Sequence, residues 1–497
     1  MRYTAALCVG ITAALAWQTP APERPGPLAG GGALLDNGWR LRPAGRQVPL
    51  GALPLAAAVS PDGKYALALN SGASAPSISV LEIATQREIG RTPVADAWLG
   101  LTFSPKGDRV YVGGGAQAAV FEFAFAAGKL TPARTFPVAP AEKRTPKDFV
   151  GDVTFDAAGR MLYAADLFRD SIAVINPQSG MVIERIATGR RPYRILFPAG
   201  AGYFFVSSWA DGAVYQHDSA KGEVLARLRL GAHPTDMVWL PGKPATEDEG
   251  QFAWVAARLI VAAANTNNVY VLGAASDGEL RQIETINISL TPWQPAGATP
   301  SALALSPDRK RLFVACSDAN AVAVADVSGA RTAPLGFIPA ARYPTAARQL
   351  ADGQILILNG SGSAAFLTAP DEQEFGRYSN TVLENTPYRD NLLEDAGTGQ
   401  GSPIPSRPGE TSPIQHVVYI VKGAAGNPGG PNHRKLASEF VTLENFYALG
   451  PQWAIAGIAS DFVEKMSPRP FDYEGGEPAA IPPSAYLWTN ASSAGVS

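Results

Sequence analysis

With 497 residues, 46% of them apolar and 17% charged, the chain can bury a large core with a second unit to spare, and it is too apolar to be disordered. A formal net charge of −3 gives no electrostatic reason to bind nucleic acid or an anionic membrane surface. The 50 glycines and 42 prolines suit an all-β chain of many turns.

In chain order, Met1-Arg2, the apolar run from Tyr3 to Ala13 and the small-x-small Ala14-Leu15-Ala16 predict an export signal over residues 1–16. The mature protein is then expected in the periplasm or outside the cell, beginning near Trp17. Cys8 lies inside the signal, so the mature chain keeps only Cys316 and can form no internal disulfide. No later apolar run reaches the ~18 residues that a transmembrane span requires. Residues 17–36 read as a Pro/Gly-rich tether.

Residues 37–370 repeat one unit at a period of roughly 40–50 residues. A short strand runs into a turn such as Ser60-Pro-Asp-Gly63, where Pro presets φ and Gly supplies φ > 0, and a second strand returns. The residue before the turn falls at Val59, Phe103, Phe155, Phe197, Trp239, Leu305 and Gln349. Five residues earlier stand Pro54, Pro192, Pro234, Pro300 and Pro344, with Trp98 and Val150 in the other two units. Gly51, Gly189, Gly231 and Gly297 precede the first four prolines by three. Two marks locked at one offset predict seven four-stranded blades of a β-propeller. Outer hairpins are legible over 172–186, 214–225, 269–288 and 322–338. The seventh unit is short, so the strand from Trp39 to Val48 is predicted to complete it and remove the free edges. Residues 139–148 and 243–258 read as insertions, the latter with a solvated Glu247-Asp-Glu249 loop.

After the repeats, residues 371–393 are predicted to be a charged helical extension and 394–413 a linker. Residues 414–497 change character. Gln415 to Val421 reads as a buried strand, and 433–447 and 454–465 as helices.

The repeats resemble the YVTN-type, YncE-like β-propeller family, through Ser60-Pro-Asp-Gly63, Ser171-Ile-Ala-Val-Ile-Asn-Pro177, Gly189-Arg-Arg-Pro192 and Gly231-Ala-His-Pro234. The segments from Asn37 to Gly51 and from Ala97 to Pro105 look like bacterial proteins in which such a propeller precedes an alkaline-phosphatase-like phosphoesterase domain. His416 to Lys422, Asn432-His433, Glu439 to Tyr447, Ala459 to Lys465 and Phe471 to Pro478 match the start of that domain in order. The resemblance therefore implies a truncated, incomplete α/β phosphoesterase-like segment over 414–497. Where the family has Glu-Asn-Arg-Thr/Ser-Tyr/Phe-Asp, this chain has Gly423-Ala-Ala-Gly-Asn-Pro-Gly-Gly430. The Asp-Gly-His-Asn-Trp stretch of relatives is reduced to Gln452-Trp453, and the later metal-binding motifs are expected beyond Ser497. A divalent metal is expected only if that site were complete, and no cofactor is otherwise implied.

No catalytic residue is assigned. His217 is expected to be solvated in an outer hairpin and His416 structural. His433 matches a family position without partner ligands. Asp461 and Glu464, one helical turn apart, are expected on a solvated face. The inner strands begin at the axial opening, so the candidate ligand-binding residues are Trp98, Asp152, Arg191, Tyr193, Arg194, His233 and Asp236, with Phe149 and Arg342 nearby. The Arg190-Arg-Pro-Tyr-Arg194 run suits a carboxylate, a phosphate or an acidic peptide. Ordinary loop charge, with these arginines paired to Asp152 and Asp236, is the plainer alternative. The leading expectation is an exported, non-catalytic propeller that binds an unknown small molecule or protein. The alternative is a hydrolase: a phosphoesterase like its relatives, or a lactonase-like site at the mouth with Asp152, His233 and Asp236 on a metal. A degenerate or fragmentary gene product is the third possibility.

Overall fold

The computed structural model describes residues 25–390 apart from 30, 36–37, 73–74, 146 and 245–248, then 412–416, 451–466 and 476–495. The export signal, most of the linker, residues 417–450 with the predicted strand beyond His416 and with His433, and residues 467–475 lie outside the described residues.

Each repeat folds as the turn chemistry dictates. In the first, Ser60 Oγ donates to Asp62 Oδ1 at 2.6 Å and accepts from the Tyr65 amide at 3.0 Å, which locks the reversal between strands Pro54–Val59 and Tyr65–Asn70. Ser104 and Ser306 repeat the device with Asp108 and Asp308. In six of the seven sheets the pair continues into an outer hairpin. Among the described residues the result is seven four-stranded antiparallel sheets and one small three-stranded sheet.

The first strands of the seven sheets touch in sequence. Pro54–Val59 meets Leu101–Phe103, then come Val150–Phe155, Pro192–Leu196, Pro234–Pro241, Pro300–Leu305 and Pro344–Gln349, which meets Pro54–Val59 again. The ring is closed. Its core is divided accordingly, one apolar cluster lying between each pair of neighbouring sheets. The cluster of Val48, Ala66, Leu81, Leu356 and Phe366 joins the last sheet to the first.

Closure comes from Arg46–Pro49, paired antiparallel with Ser363–Phe366. This strand is shorter than predicted. Gly45 has φ +75°, and a Cβ there would overlap the carbonyl oxygen of Phe366, so the chain turns into the sheet only at this point. Upstream, Arg40–Leu41 instead joins Ala33–Leu34 and Gly26–Pro27 in the small sheet, within and just beyond the stretch expected to be a bare tether.

The predicted helical extension narrows to Glu372–Asn385. It is capped by Asp371, whose carboxylate accepts from the Glu374 amide at 2.8 Å. Phe375 and Val382 are buried, and Ser379 Oγ accepts the Phe337 amide of strand Ala333–Pro339 at 3.0 Å. The helix thereby covers an outer edge strand. The helix predicted over 454–465 is two shorter ones, Pro451–Ala456 and Asp461–Met466, broken at Gly457, which has φ +72°. Leu487–Ser493 forms a last helix.

His217 is fully buried, not solvated. Its ring stacks on Phe204 at 4.9 Å, and its nitrogens bond Gly222 O and Thr188 Oγ1, both at 2.9 Å. Alternation points residue 217 inward, and burial pulls its imidazole below the usual range.

Candidate functional site

Five of the inner strands open on a left-handed residue. Leu53, Arg191, His233, Thr299 and Tyr343 have φ between 47° and 58°, and each directly precedes the proline that starts the strand. Such φ values are costly for residues with a Cβ, of order 1–3 kcal/mol each, and are kept where surrounding structure imposes them. Here the carbonyl of the left-handed residue accepts the amide of the residue that follows the second strand. Ser71 bonds Leu53, Trp209 bonds Arg191, Ser317 bonds Thr299 and Gly360 bonds Tyr343. The geometry gathers these side chains and their partners around one end of the ring.

That end is covered by the chain's own C-terminal part. Trp98 is fully buried and its indole Nε1 donates to Lys465 O at 3.0 Å. Trp209 Nε1 donates to Asp461 Oδ2 at 2.8 Å, and the other Asp461 oxygen lies 2.9 Å from His233 Nδ1. Lys465 Nζ donates to Tyr193 OH at 2.7 Å and stands 3.7 Å from Asp461 Oδ2. Burial depresses the Lys465 ammonium, with Asp461 opposing it. Burial also holds the Tyr193 phenol well above its usual range, so it stays a neutral acceptor for Lys465. Around these polar groups Trp98, Phe149, Tyr193 and Trp209 pack edge to face or tilted, and Phe462 of the tail enters against Trp209 at 5.0 Å. At the rim Arg191 is shared between Asp170 and Glu477, and Asn265 Nδ2 donates to Ile481 O at 2.8 Å.

A second layer lies deeper on the axis. Arg194 bridges Asp152 and Asp236 at 2.8 Å each, and those carboxylates also accept the amides of Ile195 and Leu303. Burial works against the Arg194 charge, but the two carboxylates outweigh it and raise its pKa. Arg348 and Arg194 flank a narrow cavity of about 70 Å³.

The seven predicted residues therefore divide. Trp98, Tyr193 and His233 hold the tail from the centre, Arg191 holds it from the rim, and Asp152, Arg194 and Asp236 form the layer beneath. They do not line an open mouth. The plainer expectation for the charges holds for Arg194, which is paired with both aspartates. Asp152 and Asp236 converge on a guanidinium and His233 turns to Asp461, so the three do not face a common metal position. Asp461, expected on a solvated face, is 1% exposed. Phe149 packs on Trp98, and Arg342 lines a separate cavity with Tyr343 and Asp318. Sequence reasoning missed Trp209 and Ser317-Asp318. Their signal was present, because both follow the second strand at the same phase as the turn.

No protein-family model matches the sequence, and no curated protein matches it. Solved structures do match. The chain is similar to Kuenenia stuttgartiensis hydrazine synthase, with a TM-score of 0.51 and 16% identity over 64% of this chain and 96% of that one. It is similar to a chain of a mitotic checkpoint complex, with a TM-score of 0.51 and 14% identity over 73% and 100%. Virginiamycin B lyase from Staphylococcus aureus gives 0.49 and 14% over 66% and 100%. These neighbours are β-propeller proteins. The fold is a β-propeller. At such identities the likeness concerns architecture alone. The propeller scaffold places the mouth just described at one end of its axis, where its loops gather.

Proposed function

We propose that this chain is an exported, non-catalytic binding module: a seven-bladed, YncE-like propeller whose mouth receives an amphipathic helical segment, supplied here by its own phosphoesterase-like tail. The observation that carries this reading is the Asp461 carboxylate, buried on the axis between His233, Trp209 and Lys465. A buried carboxylate held by two hydrogen-bond partners and an ammonium, flanked by an aromatic pocket that accepts Phe462, has the anatomy of an interface hot spot. The propeller-fold neighbours favour a scaffold role without naming a partner. The Gly423 to Gly430 stretch, standing where phosphoesterases of this type carry metal and nucleophile residues, argues against hydrolysis by the tail. Helix Asp461–Met466 is thus read as a structural plug.

The test separates binding from catalysis. A chain ending at Gly450 is titrated with a synthetic peptide of residues 451–466. Saturable binding that is lost with an Asp461→Ala peptide is expected, and a peptide that does not bind would count against the module. The full chain is then incubated with aryl phosphate mono- and diesters and zinc, manganese or calcium. No metal-dependent turnover is expected. Turnover that disappears in the chain ending at Gly450 would return the tail to catalysis.

A further inference from the structure

Beside the plugged mouth the structure holds a second cavity, of about 430 Å³, within the range of small-molecule sites. Asp318, Arg342 and Trp39 line it from the propeller side, and Trp453 and Glu464 from the tail. Its polar groups are only half used. Asp318 Oδ2 accepts from Thr299 Oγ1 at 2.6 Å, and Glu464 Oε1 accepts from Trp453 Nε1 at 3.0 Å. The remaining oxygen of each carboxyl has no hydrogen bond from the described residues. The Arg342 side chain is half-buried and makes no hydrogen bond or ion pair with the described residues, although its charge reaches both carboxyls. Among the described residues, a half-buried guanidinium without an acceptor beside two half-paired carboxyls suits a ligand with both charges.

We propose that this cavity binds a small zwitterion, an α-amino acid or dipeptide, with its carboxylate on Arg342, its ammonium between Asp318 and Glu464, and its side chain against the two indoles. The geometry favours a zwitterion over a purely cationic ligand, which Arg342 would repel, and over an anion, which two carboxyls would repel. Burial raises the proton affinity of both carboxyls, and Asp461 and Glu464 add to this at Asp318, while Thr299 and Arg342 oppose it. Because Glu464 and Trp453 belong to the tail, the site rests on the docking described under the proposed function.

The probes are the free L-α-amino acids, their N-acetyl and carboxamide derivatives, and glucose as a neutral polyol, titrated calorimetrically into the mature full-length chain at pH 8. At least one amino acid is expected to bind saturably, and blocking either its amine or its carboxylate should weaken it at least about tenfold. Arg342→Gln and Asp318→Asn should each do the same while melting cooperatively. If a variant fails to fold, the blocked derivatives on the wild-type chain still decide between a zwitterion site and none. Absence of any amino-acid binding, equal binding of the blocked forms, or binding of glucose alone overturns the site. Amide exchange of residues 461–466 on the same sample separates the two readings. A protected tail with no amino-acid binding removes this site and leaves the docking, whereas an unprotected tail removes both.

Discussion

At position 461 one carboxylate satisfies His233, Trp209 and Lys465 together, and none of the three has a water-exposed alternative. Replacing it with alanine strands a buried ammonium, an imidazole and an indole N–H. Removing one member of such a buried set costs about 3–5 kcal/mol. Asp461→Ala is therefore expected to speed amide exchange across 462–466 at least about a hundredfold, measured by mass spectrometry; exchange within a factor of about two of wild type would contradict this. Asp318 gives a pH-dependent case. Burial first, and then Glu464, push its carboxyl up to about 7. A raised folded-state value means that the native protein keeps the proton between about pH 4 and 7 while the unfolded chain releases it, so stability falls as pH rises through that window. Asp318→Asn removes the effect and can still accept from Thr299. Its melting temperature relative to wild type should rise from pH 5 to pH 8, and parallel melting curves would refute the assignment. Sequence could not show either residue's environment. The i, i+3 spacing of Asp461 and Glu464 is the same on a solvated helix and on a plug, and for Asp461 it is His233 and Trp209, more than two hundred residues away in the chain, that distinguish them.

At the level of elements, the repeat was legible because local chemistry makes it. Ser-Pro-Asp-Gly turns and alternating hairpins fold the same way wherever they occur, so all seven sheets appear where the phased marks put them. What was not legible is the left-handed residue before each proline. Nothing in Leu53, Arg191, His233, Thr299 or Tyr343 favours φ > 0, and the ring imposes it. The closing strand was placed in the correct stretch but begun too early, because Arg40 and Leu41 have strand character and a different partner. Gly45 marks the true boundary. Gly45→Ala should lower stability, read from urea unfolding, by clearly more than Gly63→Ala does, since a strained φ is joined by a clash with the Phe366 backbone. Gly63→Ala is the control. It has φ +70° and open space around the new methyl, so only the conformational cost, about 1–2 kcal/mol, remains. Equal losses in the two variants would show that Gly45 is not specially placed.

For the whole molecule, closure and capping are separate events. The ring is completed by Arg46–Pro49, far from the tail, and its apolar clusters lie between sheets, so the propeller does not need the plug to close. The plug instead buries the aromatic and charged end of the axis, which would otherwise be a large exposed patch. This is why sequence pointed to the mouth residues yet gave them the wrong surroundings: it located the inner-strand starts but carried no signal that the chain returns to cover them. Everything proposed for the mouth depends on that return. Its most direct measurement is the hydrogen exchange of tryptophan indoles in the native chain labelled with ¹⁵N-tryptophan, with resonances assigned through Trp98→Phe and Trp209→Phe. The indole N–H groups of Trp98 and Trp209, bonded to Lys465 O and Asp461 Oδ2, should exchange slowly, and both should become fast in Asp461→Ala while the propeller still melts cooperatively. Fast exchange of both indoles in the native chain, or slow exchange unaffected by Asp461→Ala, would contradict the plugged mouth.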